Sequence, residues 1–191
     1  MRVNESDTTN RWKIALLNGL NMTNLGQRDK HVYGTIGSLQ ELEDLVASVA
    51  TKLGAGIISF HSNHEGDLID FIENDPTIDA YMINPGGLWA YGEPTRIALV
   101  QTGKPFVEVH FANIFATGHA SVFTESAAGT VMGFRHHGYL GALIRAVWRE
   151  FQISTGKDPQ PVVVRAASVY SNLPTKSSLR PENYLLILPI R

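Results

Sequence analysis

The chain has 191 residues, a net charge of −2 and no cysteine. This length suits one domain with an extension, and the nearly balanced charge gives no general attraction to nucleic acid or to an anionic membrane. Without cysteine there can be no disulfide, thiol catalysis or thiolate metal site. No apolar run approaches the roughly 20 residues of a membrane-spanning helix, and the polar residues 1–11 lack a signal-peptide pattern. We therefore expect a cytoplasmic protein.

The chain alternates between short apolar runs and amphipathic segments. The apolar runs predict strands at residues 12–17, 56–62, 80–83, 105–110 and 130–133. Ser38 and Glu41 form a capping box in front of a helix that extends to residue 53. Further helices are predicted at residues 65–73, 94–102 and 137–151, and Pro94 suits a first helical turn.

Strands that alternate with helices indicate parallel strands joined by right-handed crossovers. The predicted fold class is α/β, a flavodoxin-like three-layer α/β/α sandwich around a parallel sheet. Residues 1–11 would be a polar tail, residues 12–151 the catalytic domain and residues 152–191 a C-terminal extension. Apolar runs at residues 160–167 and 184–190 predict two strands in that extension. They either pack on the same domain or form an arm that docks on a neighbouring subunit.

Polar side chains follow several of the predicted strands where each strand ends. In an open parallel sheet these ends share one edge, where ligands bind. Four segments therefore deliver candidate site residues to one edge: Asn18 and Asn21; His61, Asn63, His64 and Glu65; Asn84; Glu108 and His110.

The connection at residues 18–34 is long for a loop without structure of its own, which is typical of functional or disordered loops. It contains Arg28 and Tyr33, which a solvent-exposed spacer would not need. We interpret it as a mobile loop that brings a cation and a phenol over a pocket; the alternative is an irregular surface loop. Tyrosine acts as a base near neutrality only when its phenolate is stabilised, and Arg28 is the nearest candidate cation.

Other chemistries fit this edge less well. His61, His64, His110 and Glu65 could hold a metal, but no carboxylate-rich set accompanies them. The NPGG turn lacks the lysine of a phosphate-binding loop and the spacing of a dinucleotide site, and the GxSxG motif of serine hydrolases is absent. We therefore expect neither a metal nor a cofactor. Acid–base chemistry by Tyr33 and His110 is left.

Five segments together resemble the type II 3-dehydroquinate dehydratases, the dodecameric dehydroquinases. They are LNGLNMTNLGQRDKHVYG (residues 17–34), HSNHEG (61–66), INPGG (83–87), EVHFANI (108–114) and GYLGAL (138–143). The resemblance implies an anti elimination of water from a cyclic hydroxy-keto carboxylate by way of an enolate. It also implies a homo-oligomer built from trimers, up to a dodecamer.

The same resemblance assigns roles to residues. Tyr33 matches the base, Arg28 the arginine that supports its phenolate, and Asn21 the asparagine that holds a water against the enolate oxygen. His110, oriented by Glu108, matches the acid that protonates the departing hydroxyl. The substrate-binding set comprises Asn84 and the backbone of Phe111 and Ala112, which match the carboxylate grip, together with Trp89, Tyr91 and His64.

The chain departs from the family where the family grips the substrate's hydroxyl groups. Ala90 stands in place of a histidine, and Ile97 in place of an aspartate that reaches the neighbouring subunit. Residues 114–121 are shorter than in the family by about three residues and lack its arginines. Losing the groups that bind hydroxyls commonly costs about 2–5 kcal/mol in binding a hydroxylated substrate. We therefore expect a diverged lyase acting on a less hydroxylated or bulkier cyclic carbonyl compound. The alternatives are a hydrolase of a lactone, ester or amide, and a non-catalytic binder of small molecules.

Overall fold

A computed structural model describes residues 11–155, with side chains through residue 147. The strands are β1 (Trp12–Leu20), β2 (Ala55–His61), β3 (Ala80–Gly86), β4 (Phe106–His110) and β5 (Gly129–Met132). The α-helices are α1 (Lys30–Tyr33), α2 (Leu39–Lys52), α3 (Glu65–Asn74), α4 (Glu93–Gln101) and α5 (His137–Thr155). Short 3₁₀ turns occupy Met22–Gln27, Gly87–Ala90 and Ile114–Thr117.

The five strands form one parallel sheet in the order β2-β1-β3-β4-β5. This is the flavodoxin-like order, in which the chain reverses its direction of travel across the sheet between β1 and β3. The predicted α/β fold class is therefore confirmed. Ligands of such sheets bind outside the carboxyl ends of the strands at this reversal point. A ligand is therefore expected at the ends of β1 and β3.

Two apolar layers cover the two faces of the sheet. On one face, α2 and α5 pack against Ile14, Leu16, Met82 and Val109. On the other, α3 and α4 pack against Leu17, Tyr81, Ile83 and Phe106. Successive strand residues alternate between these layers, as strand geometry requires. The alternation also decides to which face each polar residue at the strand ends points.

Most predicted elements are present, with shifted ends. The capping box is confirmed, since the Ser38 hydroxyl accepts a hydrogen bond from the Glu41 amide at 3.0 Å. Pro94 lies in the first turn of α4, as predicted. The predicted first strand is three residues too short: β1 continues through Leu20 because residues 18 and 20 still pair with β3.

The connection predicted at residues 18–34 is consequently shorter and more ordered than the sequence suggested. It begins at Asn21 and contains a 3₁₀ turn and α1. Met22 and Leu25 are buried in the apolar layer under α2 and α5. The Asp29 carboxylate caps α1 by accepting a hydrogen bond from the His31 amide at 2.8 Å. Buried anchors at its start and a cap in its middle give this connection a defined path.

Two glycines let the ends of β1 and β3 approach closely. A Cβ atom on Gly19 would lie 2.2 Å from the Pro85 carbonyl oxygen, and one on Gly86 would lie 2.1 Å from the Leu20 carbonyl oxygen. Gly86 also has φ 56, which disfavours residues with side chains. The backbone at the reversal point is therefore too close for any side chain at these positions.

The strands predicted at residues 160–167 and 184–190, and thus the question of an arm, lie outside the described residues. So does most of the predicted tail at residues 1–11. Within residues 11–155, none of the helices combines the length and the apolar character needed to cross a membrane.

Candidate active site

Glu108 and His110 form a buried pair at the carboxyl end of β4. Glu108 is 0% exposed and His110 4%, and Nε2 of His110 lies 2.7 Å from Oε1 of Glu108. Residues two apart on a strand share a face only where the strand is regular, and β4 is regular through His110. The carboxylate therefore holds the imidazole in one orientation, which the sequence predicted only for a regular strand end.

The second oxygen of Glu108 is also occupied. Oε2 accepts a hydrogen bond from the Thr124 hydroxyl at 2.6 Å and a longer one from Thr130 at 3.4 Å. Burial alone would raise the pKa of Glu108, but hydrogen bonds from His110, Ser121 and Thr124 outweigh burial and leave the pKa below its ordinary value. Glu108 is therefore an anion that could stabilise a protonated His110.

The amides of Asn18 and Asn84 are joined by the Tyr139 hydroxyl, on the sheet face covered by α2 and α5. Asn84 Nδ2 donates to this hydroxyl at 2.7 Å, and the hydroxyl donates to Asn18 Oδ1 at 3.1 Å. Asn84 Oδ1 accepts a hydrogen bond from the Gly86 amide at 3.0 Å. Burial raises the pKa of Tyr139 well above its ordinary value, so the hydroxyl keeps its proton. An amide nitrogen has two hydrogens, so Asn84 keeps one donor for a ligand.

Asn18 extends this network toward α2. Its Nδ2 donates to Oε1 of Glu43 at 3.3 Å. Burial raises the pKa of Glu43. The hydrogen bond from Asn18 lowers this pKa and the charge of Asp44 raises it, and both effects are smaller than that of burial. Three side chains, Asn18 on β1, Glu43 on α2 and Tyr139 on α5, thus fix the position of the Asn84 amide.

Arg28 and Tyr33 belong to what we call the Tyr33 segment, residues 28–34. The Arg28 guanidinium carbon lies 3.8 Å from the centroid of the Tyr33 ring, over its face. This is a cation–π arrangement. The Tyr33 ring lies 5.9 Å from the Phe111 ring, which in turn lies 5.2 Å from the Tyr139 ring. The aromatic contacts thus connect the Tyr33 segment to the network around Asn84.

Asn21 lies at the turn that follows β1. It has φ 68, a conformation that asparagine tolerates better than most residues. Its backbone amide donates to Oδ1 of Asn63 at 2.8 Å, which ties the end of β1 to the loop after β2. The Asn21 side chain is exposed, and its Nδ2 approaches the position a Cβ would take on Gly87. Asn21 therefore stands next to the loop after β3, as the predicted site requires.

Comparisons with known proteins identify the family to which this chain is similar. The family model for class II dehydroquinase matches residues 12–147. The 3-dehydroquinate dehydratase of Bacillus cytotoxicus is 41% identical over 135 residues, covering 69% of this chain and 92% of that protein. Catabolic 3-dehydroquinase 2 of Aspergillus fumigatus is 40% identical over 134 residues, covering 68% and 89%.

A solved structure agrees with these sequence matches. The type II dehydroquinase of Propionibacterium acnes superposes with a TM-score of 0.65 at 30% identity and covers 71% of this chain and 95% of that one. The chain belongs to the class II dehydroquinase family. The predicted family and the predicted enzyme class, a dehydratase-type carbon–oxygen lyase, are thereby confirmed.

The remaining predicted binding residues of this dehydroquinase-family chain differ in exposure. Phe111 is 2% exposed and Tyr91 is 79% exposed. The Tyr91 ring therefore lies outside the enclosed part of the strand-end rim, the edge of the sheet where the carboxyl ends of the strands meet. Ala112 is half-buried, and His64 is exposed at the start of α3. The structure thus supports Phe111 as a wall of the site more directly than it supports Tyr91 or His64.

Two segments in which we expect departures from the family pattern contact each other. The Trp89 ring lies 4.7 Å from the His119 ring in an edge-on arrangement, and the Trp89 carbonyl accepts a hydrogen bond from the Val122 amide at 2.9 Å. The turn after β3 and the loop after β4 therefore form one continuous surface beside Ala90.

The alternative metal set is not assembled in the described part of the chain. There, no three histidine, aspartate or glutamate side chains are grouped so that they could share a metal ion. His110 is paired with Glu108, and Oε1 of Glu65 accepts hydrogen bonds from the amide and hydroxyl of Thr95.

A cavity of about 330 Å³ lies away from the candidate site, beside the amino ends of β3 and β4. Tyr81, Thr102 and Lys104 contribute to its wall.

Sequence reasoning missed Tyr139 and Thr124. Tyr139 stands in the GYLGAL segment, but a buried tyrosine at the start of a helix has the same sequence pattern as a core residue. Thr124 is 16 residues from Glu108 along the chain, and no local pattern marks it as a partner. Only the packing of α5 and of the loop before β5 against the sheet reveals these contacts.

Proposed function

We propose that this chain eliminates water from a cyclic hydroxy-carbonyl carboxylate, with Tyr33 as the base and His110 as the acid. The observation that carries the proposal is the oriented Glu108–His110 pair, 2.7 Å apart, together with the Arg28–Tyr33 stack, whose Tyr33 ring lies 5.9 Å from Phe111, the residue that follows His110. Tyr33 offers a base and His110 offers an acid. A dehydration needs both, because the base removes a proton from carbon and the acid protonates the departing hydroxyl.

The proposed reaction begins at the carbon next to the carbonyl. The Tyr33 phenolate, stabilised by the Arg28 cation, takes a proton from this carbon, and the C–H electrons form an enolate. The enolate then reforms the carbonyl, the new C=C double bond forms, and the C–O bond to the β-hydroxyl breaks. The departing hydroxyl takes a proton from His110 and leaves as water. Exchange with solvent returns one proton to His110 and removes one from Tyr33.

Three further groups complete the proposed site. Asn21 would hold a water against the enolate oxygen. The free N–H of Asn84 and the backbone after β4, at Phe111 and Ala112, would hold the substrate carboxylate. The buried network of Asn18 and Tyr139 supports this assignment, because it leaves the Asn84 amide in one orientation.

We further propose that the substrate is less hydroxylated, or bulkier, than 3-dehydroquinate, the compound named in the relatives above. Ala90 cannot donate a hydrogen bond from its side chain, and the Trp89–His119 contact places aromatic surface next to it. A site that lacks hydroxyl-binding groups gives up discrimination in favour of hydroxylated rings.

The test is a continuous absorbance assay of the conjugated product, with 3-dehydroquinate and with analogues that lack one ring hydroxyl. We expect a higher kcat/KM for an analogue than for 3-dehydroquinate. The Ala90→His variant, which restores a donor, should raise kcat/KM for 3-dehydroquinate about tenfold. If 3-dehydroquinate is the best substrate of the wild type, the proposed divergence is wrong. If no compound of this class loses water, the elimination itself is wrong.

The hydrolase and binder alternatives receive no support from the names of the relatives.

We also propose a cytoplasmic homo-oligomer built from trimers. Ile97 and Val100 on α4 are 42% and 49% exposed, and such apolar side chains on one helix suit a subunit contact. Sedimentation velocity of the full chain should show a species of three subunits or a multiple of three; a monomer at micromolar concentration would contradict this.

A further inference from the structure

Arg135 occupies an unusual position in the connection between β5 and α5. It has φ 53, a left-handed conformation that residues other than glycine adopt infrequently. Its backbone amide donates a hydrogen bond to the Phe111 carbonyl at 3.0 Å. A residue held in this conformation next to a candidate site is a reason to look for a role of its side chain.

The Arg135 side chain reaches the Tyr33 segment. Its Nη2 donates to the His31 carbonyl oxygen at 2.8 Å. Its Cδ and Cβ pass beside Gly34, where an added Cβ would lie 3.1 and 3.4 Å from them. Gly34 has φ 82 and ends α1. Arg135 therefore contacts the chain on both sides of Tyr33.

Within α1, apolar packing against the core involves Tyr33, whose ring contacts Phe111. None of the four residues of α1 is buried, and Tyr33 itself is half-buried. A helix of one turn has little stability of its own. A directional hydrogen bond from a guanidinium to a carbonyl of α1 is therefore a main restraint on where Tyr33 lies.

We infer that Arg135 is a positioning residue that fastens the Tyr33 segment to the strand-end rim and thereby places Tyr33 against Phe111. One residue makes both connections: its amide bonds to Phe111, and its guanidinium bonds to α1. The inference about position rests on these contacts alone. Its consequence for turnover rests on the proposed function.

The first experiment measures the accessibility of the Tyr33 segment without any substrate. Trypsin cleaves after Arg28 and Lys30, and mass spectrometry of the fragments identifies these cuts in the folded protein. The test variant is Arg135→Gly, because glycine removes the guanidinium and suits φ 53. We expect cleavage after Arg28 and Lys30 to accelerate at least fivefold with little change in melting temperature.

Two further variants give the comparison its controls. Arg135→Lys keeps a donor on a long side chain and should restore part of the protection. Lys104→Ala removes a cation before β4, at the other end of the sheet, and should leave cleavage in the Tyr33 segment unchanged. Equal cleavage rates for wild type and Arg135→Gly would overturn the inference.

The second experiment measures turnover of the preferred substrate found in the absorbance assay. Arg135→Gly should lower kcat more than it raises KM, because a displaced base slows proton transfer, and Arg135→Lys should recover part of kcat. Faster cleavage together with unchanged kcat would overturn the placement of Tyr33. Failure of the wild type to turn over any substrate contradicts the proposed function, while the cleavage result still decides the contact between Arg135 and the Tyr33 segment.

Discussion

The residues at the end of β4 and those of the Tyr33 segment are held in different ways. Glu108 and His110 are buried, and Glu108 receives hydrogen bonds from four side chains. Arg28 and Tyr33 are half-buried and rely on a ring stack and on a neighbouring arginine. The comparison teaches that the proposed acid is part of the domain's interior, whereas the proposed base is carried by a segment attached to its surface.

This difference predicts which changes will affect activity and which will affect stability. A change in the Tyr33 segment should alter catalysis while leaving the free energy of unfolding nearly unchanged. A change among the buried polar side chains around the strand ends should reduce stability, because it leaves polar groups inside the protein without partners.

The largest effect is expected for Tyr33→Phe. Removing the phenolic oxygen removes the proposed base, so kcat should fall about 10²–10⁴-fold. The free energy of unfolding should change by less than about 0.5 kcal/mol, because the ring and its contacts are kept. Steady-state kinetics and urea unfolding measure the two quantities. Tyr91→Phe, which removes a hydroxyl from an exposed ring, is the matched control for the unfolding measurement; wild-type turnover in Tyr33→Phe would contradict the role of Tyr33.

An intermediate effect is expected for Tyr139→Phe on α5, whose hydroxyl joins Asn18 and Asn84 at the strand ends. Without the hydroxyl, Asn18 loses a donor and Asn84 loses an acceptor inside the protein. Such a loss costs about 1–3 kcal/mol in the free energy of unfolding. Urea unfolding measures it against the same Tyr91→Phe control. A cost equal to that of the control would show that the network does not stabilise the domain.

The smallest effect concerns His136, which directly precedes α5 and lies beside Gly34. Burial lowers its pKa to about 4, and the charges of His137 and Arg135 reinforce this. An unfolded histidine has a pKa of about 6.5, so the unfolded state binds more protons as pH falls from about 6.5 to 4. The stabilisation is therefore complete above about pH 6.5 and is lost as pH falls toward 4.

His136→Gln should remove this dependence. After allowance for solvent screening of a half-buried group, wild type should lose about 1–2 kcal/mol more than the variant between pH 7 and pH 4. Urea unfolding at several pH values gives the difference. Taking the difference between two otherwise identical chains cancels the titration of their carboxylates. Parallel stability curves for the two proteins would contradict the assignment to His136.

Local patterns predicted the frame of the molecule well. The capping box at Ser38 and the proline at the start of α4 act through neighbouring residues, so the sequence alone reveals them. The end of β1 was misplaced because Asn18 and Gly19 interrupt the apolar run, although Asn18 and Leu20 still pair with β3. Such pairing depends on a strand more than 60 residues away.

The candidate site was predictable to the extent that strand ends meet at one edge. The orientation of His110 by Glu108 follows from a regular strand, so it could be foreseen. The contributions of Thr124, Tyr139 and Arg135 could not, because each belongs to an element that joins the site only through tertiary packing. Local sequence therefore indicated what chemistry is present, while the packing shows what holds it in place.

The close approach of β1 and β3 at Gly19 and Gly86 has a consequence for engineering this scaffold. Any side chain introduced at either glycine would collide with a carbonyl of the opposite strand, so a library for new substrates should keep both glycines fixed. Diversity belongs instead in the surface loops around Ala90 and residues 114–121, which can be rebuilt without moving the two strands. Evolution of new specificities on this frame would be confined in the same way.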